Sequence, residues 1–186
     1  MTKEYKIKGM ICSRCLKVLK TDLKANGVRV KEIELGRIVV EYDSTKVDNL
    51  IITKVLEENE FEVIHEKGEI RAEQTKKWII TYIWKTDLSI NLSEFISKKM
   101  NLNYVSLSKN FSKQYGRTIE RYALLLKIER TKEFIGNGKI NFSEMAFALG
   151  YQNSSALSKQ FKRETGLSMK EYKSLGIQDR IPLDRI

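Results

Sequence analysis

Cys12 and Cys15 are the chain's two thiols, and their spacing lets both sulfurs converge on one ion. They stand in the run Gly9-Met10-Ile11-Cys12-Ser13-Arg14-Cys15, where a strand-like pattern gives way to a helical one. A helix N-terminus favours thiolate over thiol, and Arg14 adds to that pull. With no His or carboxylate in the run, two thiolates suit a soft ion content with low coordination, Cu(I) above all. Cadmium and mercury ions are also soft enough for such a thiolate pair. Structural zinc normally takes four ligands and would need a second chain. Met10 reads as a packing residue under the loop. His65, the one histidine, reads as an exposed residue at a domain edge.

A second chemistry lies further along. Residues 91–122 reappear at 141–172 at a constant shift of fifty, with Asn91, Ser93, Glu94, Asn103, Leu107, Ser108, Lys109, Phe111, Gly116 and Tyr122 matched identically. Ten matches in 32 positions mark a duplicated unit. In a helix-turn-helix the first helix braces while the second presents short polar and basic side chains to the major groove. Each copy fits that form. Ile96 and Met100 should face the core, Leu102 should pack the turn, and Leu107 and Phe111 should bury the inner face of the second helix. Met145, Leu149, Tyr151, Leu157 and Phe161 should do the same in the second copy. Left exposed are Val105, Ser108, Lys109 and Ser112, then Ser154, Ser155, Ser158, Lys159 and Lys162. Lys can donate to the O6/N7 edge of guanine and Ser can serve several edges, so these are candidates for base readout. Lys113, Lys162 and Arg163, one turn on, are candidates for phosphate contact that fixes register.

The charge distribution agrees with this division. Residues 1–66 hold 12 Lys/Arg and 12 Asp/Glu, while the remaining residues hold the other 22 and 12 of the chain's 34 and 24. The net charge of +10 thus lies wholly in the half with the repeat, which assigns a polyanion partner to that half. No stretch approaches the roughly 20 apolar residues of a membrane helix, and Met1 to Lys8 lacks a signal-peptide core. The expected location is the cytoplasm. No nucleophile, paired carboxylates or phosphate loop accompanies the thiols, so an enzyme is not expected.

The elements that must position these groups follow from periodicity. Tyr5 and Ile7 alternate with Lys residues as in a half-buried strand; Leu16, Leu19 and Leu23 share a helical face that stops at Asn26-Gly27. A hairpin turns at Gly36 between Val28–Leu35 and Ile38–Tyr42. A second helix over about Lys46–Glu58 presents Val47, Leu50, Ile51 and Val55, and Phe61–Ile64 is the last strand. This βαββαβ order predicts a ferredoxin-like sandwich. Ile79, Tyr82 and Ile83 then mark a connecting helix, with Trp78 and Trp84 as packing anchors. Asn91 and Asn141, each three residues before a Glu, predict capping boxes. Gly116 and Gly166 close the second helix of each copy, and a long helix over about Thr118–Phe134 joins the two.

Two resemblances sharpen this. Lys127–Ile135, Met145-Ala-Phe-Ala-Leu-Gly-Tyr151, Ala156–Gly166 and Glu171-Tyr172 resemble the AraC/XylS-type transcription regulators over residues 75–175. The resemblance implies seven helices, two helix-turn-helix units bridged by a long helix, and readout of two successive major-groove segments. It places base contacts at Val105, Ser108 and Lys109, and at Ser154, Ser155, Ser158 and Lys159. Asn110 and Ser112 stand where that family usually has larger or basic residues. Residues 3–65, with Gly9-Met10-x-Cys12-x-x-Cys15, Gly27-Val28 and Phe61-Glu-Val63, resemble the heavy-metal-associated domains of copper chaperones and metal-transport ATPases. That resemblance implies Cys12 and Cys15 as metal ligands. It departs at Glu60, where the family usually has Gly. A redox pair of the thioredoxin kind would sit in a different strand–helix order with Trp and Pro nearby.

The expected architecture is an α+β domain over residues 1–66, a connecting helix over 67–86, an all-α double helix-turn-helix domain over 87–175 and a tail over 176–186. The expected function is a transcription regulator that binds double-stranded DNA under control of Cu(I) or a related soft ion. The competing readings are a metal chaperone or buffer, and a regulator whose first domain only forms a homodimer or docks a protein.

Overall fold

The computed structural model describes residues 1–85, 88–176, 179–183 and 185–186. Its contacts divide the chain into two compact units, Met1–Lys77 and Trp78–Ile186. The expected domain boundary at residues 86 and 87 lies outside the described residues, as do residues 177, 178 and 184 of the tail.

The first unit runs β1 (Thr2–Lys8), α1 (Ser13–Ala25), β2 (Arg29–Glu34), β3 (Arg37–Glu41), α2 (Asn49–Glu58) and β4 (Glu62–Val63). The strands form one antiparallel sheet in the order β2-β3-β1-β4, with Tyr5 opposite Ile38 and Ile7 opposite Val63. Period-two burial of Tyr5, Ile7, Ile38 and Val40 gives the sheet its apolar face, and Leu19, Leu23, Ile52, Val55 and Leu56 belong to the same core. The register of β2 against β3 slips between Val30 and Glu32, a bulge that the alternation alone does not announce.

Both helices of this unit close alike. Val28 donates its N–H to the Leu23 carbonyl at 3.0 Å past Gly27, and Phe61 donates to the Leu56 carbonyl at 2.9 Å past Glu60. Two expectations need correction. The second helix starts at Asn49, because the Asp48 carboxylate caps it by accepting the Leu50 N–H and a turn at Asp43 takes up the preceding residues. Leu50 is then 70% exposed, and Ile52 and Leu56 fill the inward positions instead. The last strand is Glu62 and Val63, with Phe61 and Ile64 buried at its ends and the Ile64 N–H still donated to the Lys6 carbonyl at 2.9 Å.

Helix α3 (Lys67–Lys85) runs past the division at Lys77 into the second unit. Its Ile79, Tyr82 and Ile83 are buried there, Trp78 meets Phe95 edge-on with ring centroids 6.3 Å apart, and the Trp84 indole N–H reaches Glu133. The second unit continues with α4 (Leu92–Met100), α5 (Tyr104–Tyr115), α6 (Ile119–Asn137), α7 (Phe142–Ala148), α8 (Ser154–Thr165) and α9 (Met169–Ser174).

The sequence repeat is a repeat of caps and cores. Asn103 and Asn153 cap α5 and α8; Gly116 and Gly166 close them at φ 66° and 78°; Thr118 and Ser168 cap α6 and α9. The buried pairs Leu107/Leu157, Phe111/Phe161 and Tyr122/Tyr172 keep the fifty-residue shift, and the Phe–Tyr centroids lie 5.6 and 5.4 Å apart. The brace helices are less alike than the sequence suggests. Asn141 and Glu144 make a full capping box, whereas at Asn91 only the side chain's acceptance of the Glu94 N–H is formed. The left-handed residue of the turn is Asn101 in one copy and Gly150 in the other, one position out of step. Leu102 is 38% exposed and Met100 only half-buried, so neither seals its turn as expected. Helix α6 also extends to Asn137, closed by Gly138.

Candidate metal loop and nucleic-acid interface

Strand β1 ends at Lys8, Gly9 turns the chain at φ +88°, and α1 begins at Ser13 with Cys12 as its N-cap residue. A side chain at Gly9 would press on the Glu60 carbonyl oxygen at 3.3 Å and on the Phe61 ring at 3.7 Å, so the loop lies close against the end of α2. Met10 is buried beneath it, as expected of a packing residue, and His65 is exposed. The Cys12 and Cys15 sulfurs are 3.1 Å apart and both half-buried.

Burial pushes the Cys15 thiol above its ordinary pKa, helped by its hydrogen bond with Cys12, while backbone contacts with Cys12 and Ile11 pull the other way. The expected lowering by the helix terminus therefore loses to desolvation at Cys15. Among the described residues no group of three or more His, Cys, Asp or Glu is placed to hold a metal ion. The donor set is two sulfurs, which fits a soft ion of low coordination and does not supply the four ligands of a structural zinc site. Glu60, the departure from the heavy-metal-associated pattern, is exposed with φ +60°.

Helices α5 and α8 present one recurring face. Val105, Ser106, Lys109 and Lys113 are exposed on α5; Ser155, Ala156, Lys159 and Arg163 are exposed at the same four places on α8, together with Lys162. Ser108, Ser112, Ser154 and Ser158, expected on the open face, are half-buried at its edge. The first turn of each helix instead offers Ser106 and Ala156, which are absent from the expected set. Their position directly before the buried Leu107 and Leu157 is the signal in the sequence that points to them.

Each of these helices is fixed from behind. Tyr104, the first residue of α5, donates its hydroxyl to the Glu120 carboxylate on α6. Glu164 near the end of α8 receives Arg121 of α6 at 2.7 Å, and Arg121 holds that carboxylate below its ordinary range. Arg163 donates to the Gln160 side chain at 2.6 Å, so it is steered by its own helix. No helix among the described residues is long and apolar enough to cross a membrane.

Comparison with known proteins places this geometry. Residues 96–174 match the model of the helix-turn-helix domain family. The Msm operon regulatory protein of Streptococcus mutans serotype c is 32% identical over 78 residues, which are 42% of this chain and 28% of that protein. The chain thus spans less than a third of this relative's length.

Among solved structures, the C-terminal domain of AraT, a response regulator from Geobacillus stearothermophilus, superposes with a TM-score of 0.52 at 19% identity, covering 63% of this chain and 95% of that one. A transcriptional regulator with an AraC-type DNA-binding domain from Chromobacterium violaceum gives 0.50 at 12% identity, covering 58% and 96%. At such identities the likeness is one of fold. The second unit thus shares the fold of these two solved domains, and its residues 96–174 match the helix-turn-helix family. These relatives are named as regulatory proteins.

Proposed function

We propose that the chain is a transcription regulator that binds double-stranded DNA through α5 and α8 and answers to a soft metal ion, Cu(I), held by Cys12 and Cys15. One observation carries the DNA reading: two helices fifty residues apart share the same caps, the same buried Leu and Phe, and exposed residues at the same four places, with Lys at the third. Val105, Lys109, Ser155 and Lys159 on the open face are assigned to bases, with Ser108, Ser154 and Ser158 at its edge. Lys113, Lys162 and Arg163 are assigned to phosphates. Because one chain carries both heads, it does not need to dimerise to address two successive major-groove segments.

The first unit is read as a ferredoxin-like, heavy-metal-associated module on the strength of its element order, its sheet order and its thiol loop. A coupling of about 1–3 kcal/mol, or about 5- to 150-fold in DNA affinity, is ordinary for such control. The test is DNA affinity measured by fluorescence anisotropy under reducing conditions, with and without Cu(I), on a duplex selected by the chain from a random pool. The expected result is a Cu(I)-dependent shift in the wild type that Cys12→Ser/Cys15→Ser abolishes. Equal affinities in all four measurements sink metal control, and no selectable duplex sinks the DNA reading. Rapid Cu(I) transfer to an acceptor with no change on DNA would turn the reading to a metal chaperone.

A further inference from the structure

Glu73 lies on α3 and is only 5% exposed. Its Oε1 accepts the backbone N–H of Gly9 at 3.0 Å, at the start of the loop that carries both thiols. The same helix runs on to Lys85, placing Ile79, Tyr82 and Ile83 in the core of the second unit. The loop is thus pinned by a buried side chain to the helix that leads into the DNA-binding unit.

Gly9 stands three positions before Cys12, so the pin and the thiols share one short loop. An ion held by both thiolates would replace the hydrogen bond that now keeps the Cys12 and Cys15 sulfurs 3.1 Å apart. Room to move lies on the α3 side of the loop, where a cavity of about 120 Å³ is lined by Met10, Ile70, Glu73 and the hairpin turn at Leu35 and Gly36. We propose, resting on the metal reading above, that Glu73 is the positioning residue through which opening of the Cys12/Cys15 loop is passed to α3.

Hydrogen exchange on the full chain, with and without Cu(I), tests this independently of DNA. In the wild type Cu(I) should change exchange rates along α3 by at least about tenfold, the scale of an ordinary allosteric coupling. Glu73→Ala should still bind Cu(I), by chelator competition, yet lose the α3 response. Glu73→Gln, which keeps an oxygen acceptor, should restore it and guard against simple misfolding. An α3 response that survives in Glu73→Ala overturns the assignment, as does Glu73→Gln failing while folded and Cu(I)-bound. A wild-type chain that binds no Cu(I) overturns both this inference and the reading beneath it. An α3 response without a change in DNA affinity supports Glu73 and overturns only metal control of DNA binding.

Discussion

Glu60 occupies, at the end of α2, the left-handed cap position that Gly27 occupies at the end of α1. Their φ values are 60° and 75°, and each is followed by the same return bond to the last turn of its helix. An L-residue held there costs roughly 1–2 kcal/mol, whereas Gly costs only its extra chain entropy. Glu60→Gly should therefore stabilise the protein by about 0.5–1 kcal/mol, and Gly27→Ala should destabilise it by about 1–2 kcal/mol. Urea unfolding of the two variants checks both signs. A Glu60→Gly variant less stable than wild type would mean that the Glu60 side chain makes a contribution its exposed position does not reveal.

The Cys15 thiol predicts a pH dependence. Burial raises its pKa, so over the neutral range it keeps a proton that a metal ion must displace. Apparent Cu(I) affinity should then rise with pH by about tenfold per unit for this one proton, flattening above the raised pKa. Stability of the metal-free chain runs the other way. The folded state binds the proton more tightly than the unfolded chain, so this contribution is complete below the ordinary thiol value of about 8.5 and is lost as pH rises through the raised one. Chelator competition at several pH values and urea unfolding between about pH 7 and 10 measure the two slopes on either side of that value. An affinity flat across the neutral range would show that Cys15 is not a ligand.

On DNA, the two lysines of α8 should behave differently. Lys159 stands on the recurring exposed face at the place Lys109 holds in α5, while Lys162 lies one turn on. Lys159→Ala should weaken the selected duplex by about 1–3 kcal/mol and relax one base preference. Lys162→Ala should weaken all sequences similarly and lower the salt slope by about one. Equal losses on selected and random DNA for Lys159→Ala would move Lys159 to the phosphate set.

What the sequence made legible was what recurs. Caps such as Asn103/Asn153, the closing Gly116/Gly166 and the buried Leu107/Leu157 are local decisions, each visible twice, so the second unit could be read element by element. Features set once, by a single cap or a single distant partner, could not. Leu50 has the right spacing for a core residue, but Asp48 starts the helix at a phase that turns it outward. The bulge at Lys31 and the Gly9–Glu73 bond leave no periodic trace, because their partners come from other elements. Nor did the helical thiol loop reveal that burial would outweigh the helix terminus at Cys15.

The tail is the largest such case, and it carries the last prediction. The sequence after Tyr172 shows no pattern, yet Asp179, Arg180 and Ile181 are tied to α6. Lys132 and Glu129 form an ion pair at 3.0 Å with side chains 6% and 4% exposed. The Asp179 carboxylate joins Lys132 at 3.3 Å and accepts the Tyr172 hydroxyl at 2.6 Å, Arg180 reaches Glu133 at 3.1 Å, and the Ile181 N–H meets Glu129 at 2.8 Å. Tyr172 in turn packs on Phe161 of α8, so the tail braces the helix that offers Lys159. Removing one partner of a buried pair strands the other charge, at a cost of about 3–5 kcal/mol, whereas replacing both by apolar groups is close to neutral. Lys132→Met should therefore unfold the second unit readily, and Lys132→Met/Glu129→Leu should recover most of the loss. The Tyr172 bond holds the Asp179 carboxyl below its ordinary pKa, with Lys132 adding to it. That stabilisation is present above about pH 4 and is lost as pH falls through the lowered value. Thermal unfolding of the single, double and Asp179→Asn variants decides the matter. A double variant no better than Lys132→Met alone would show that the tail's hydrogen bonds, rather than charge pairing, hold α6 and α9 together.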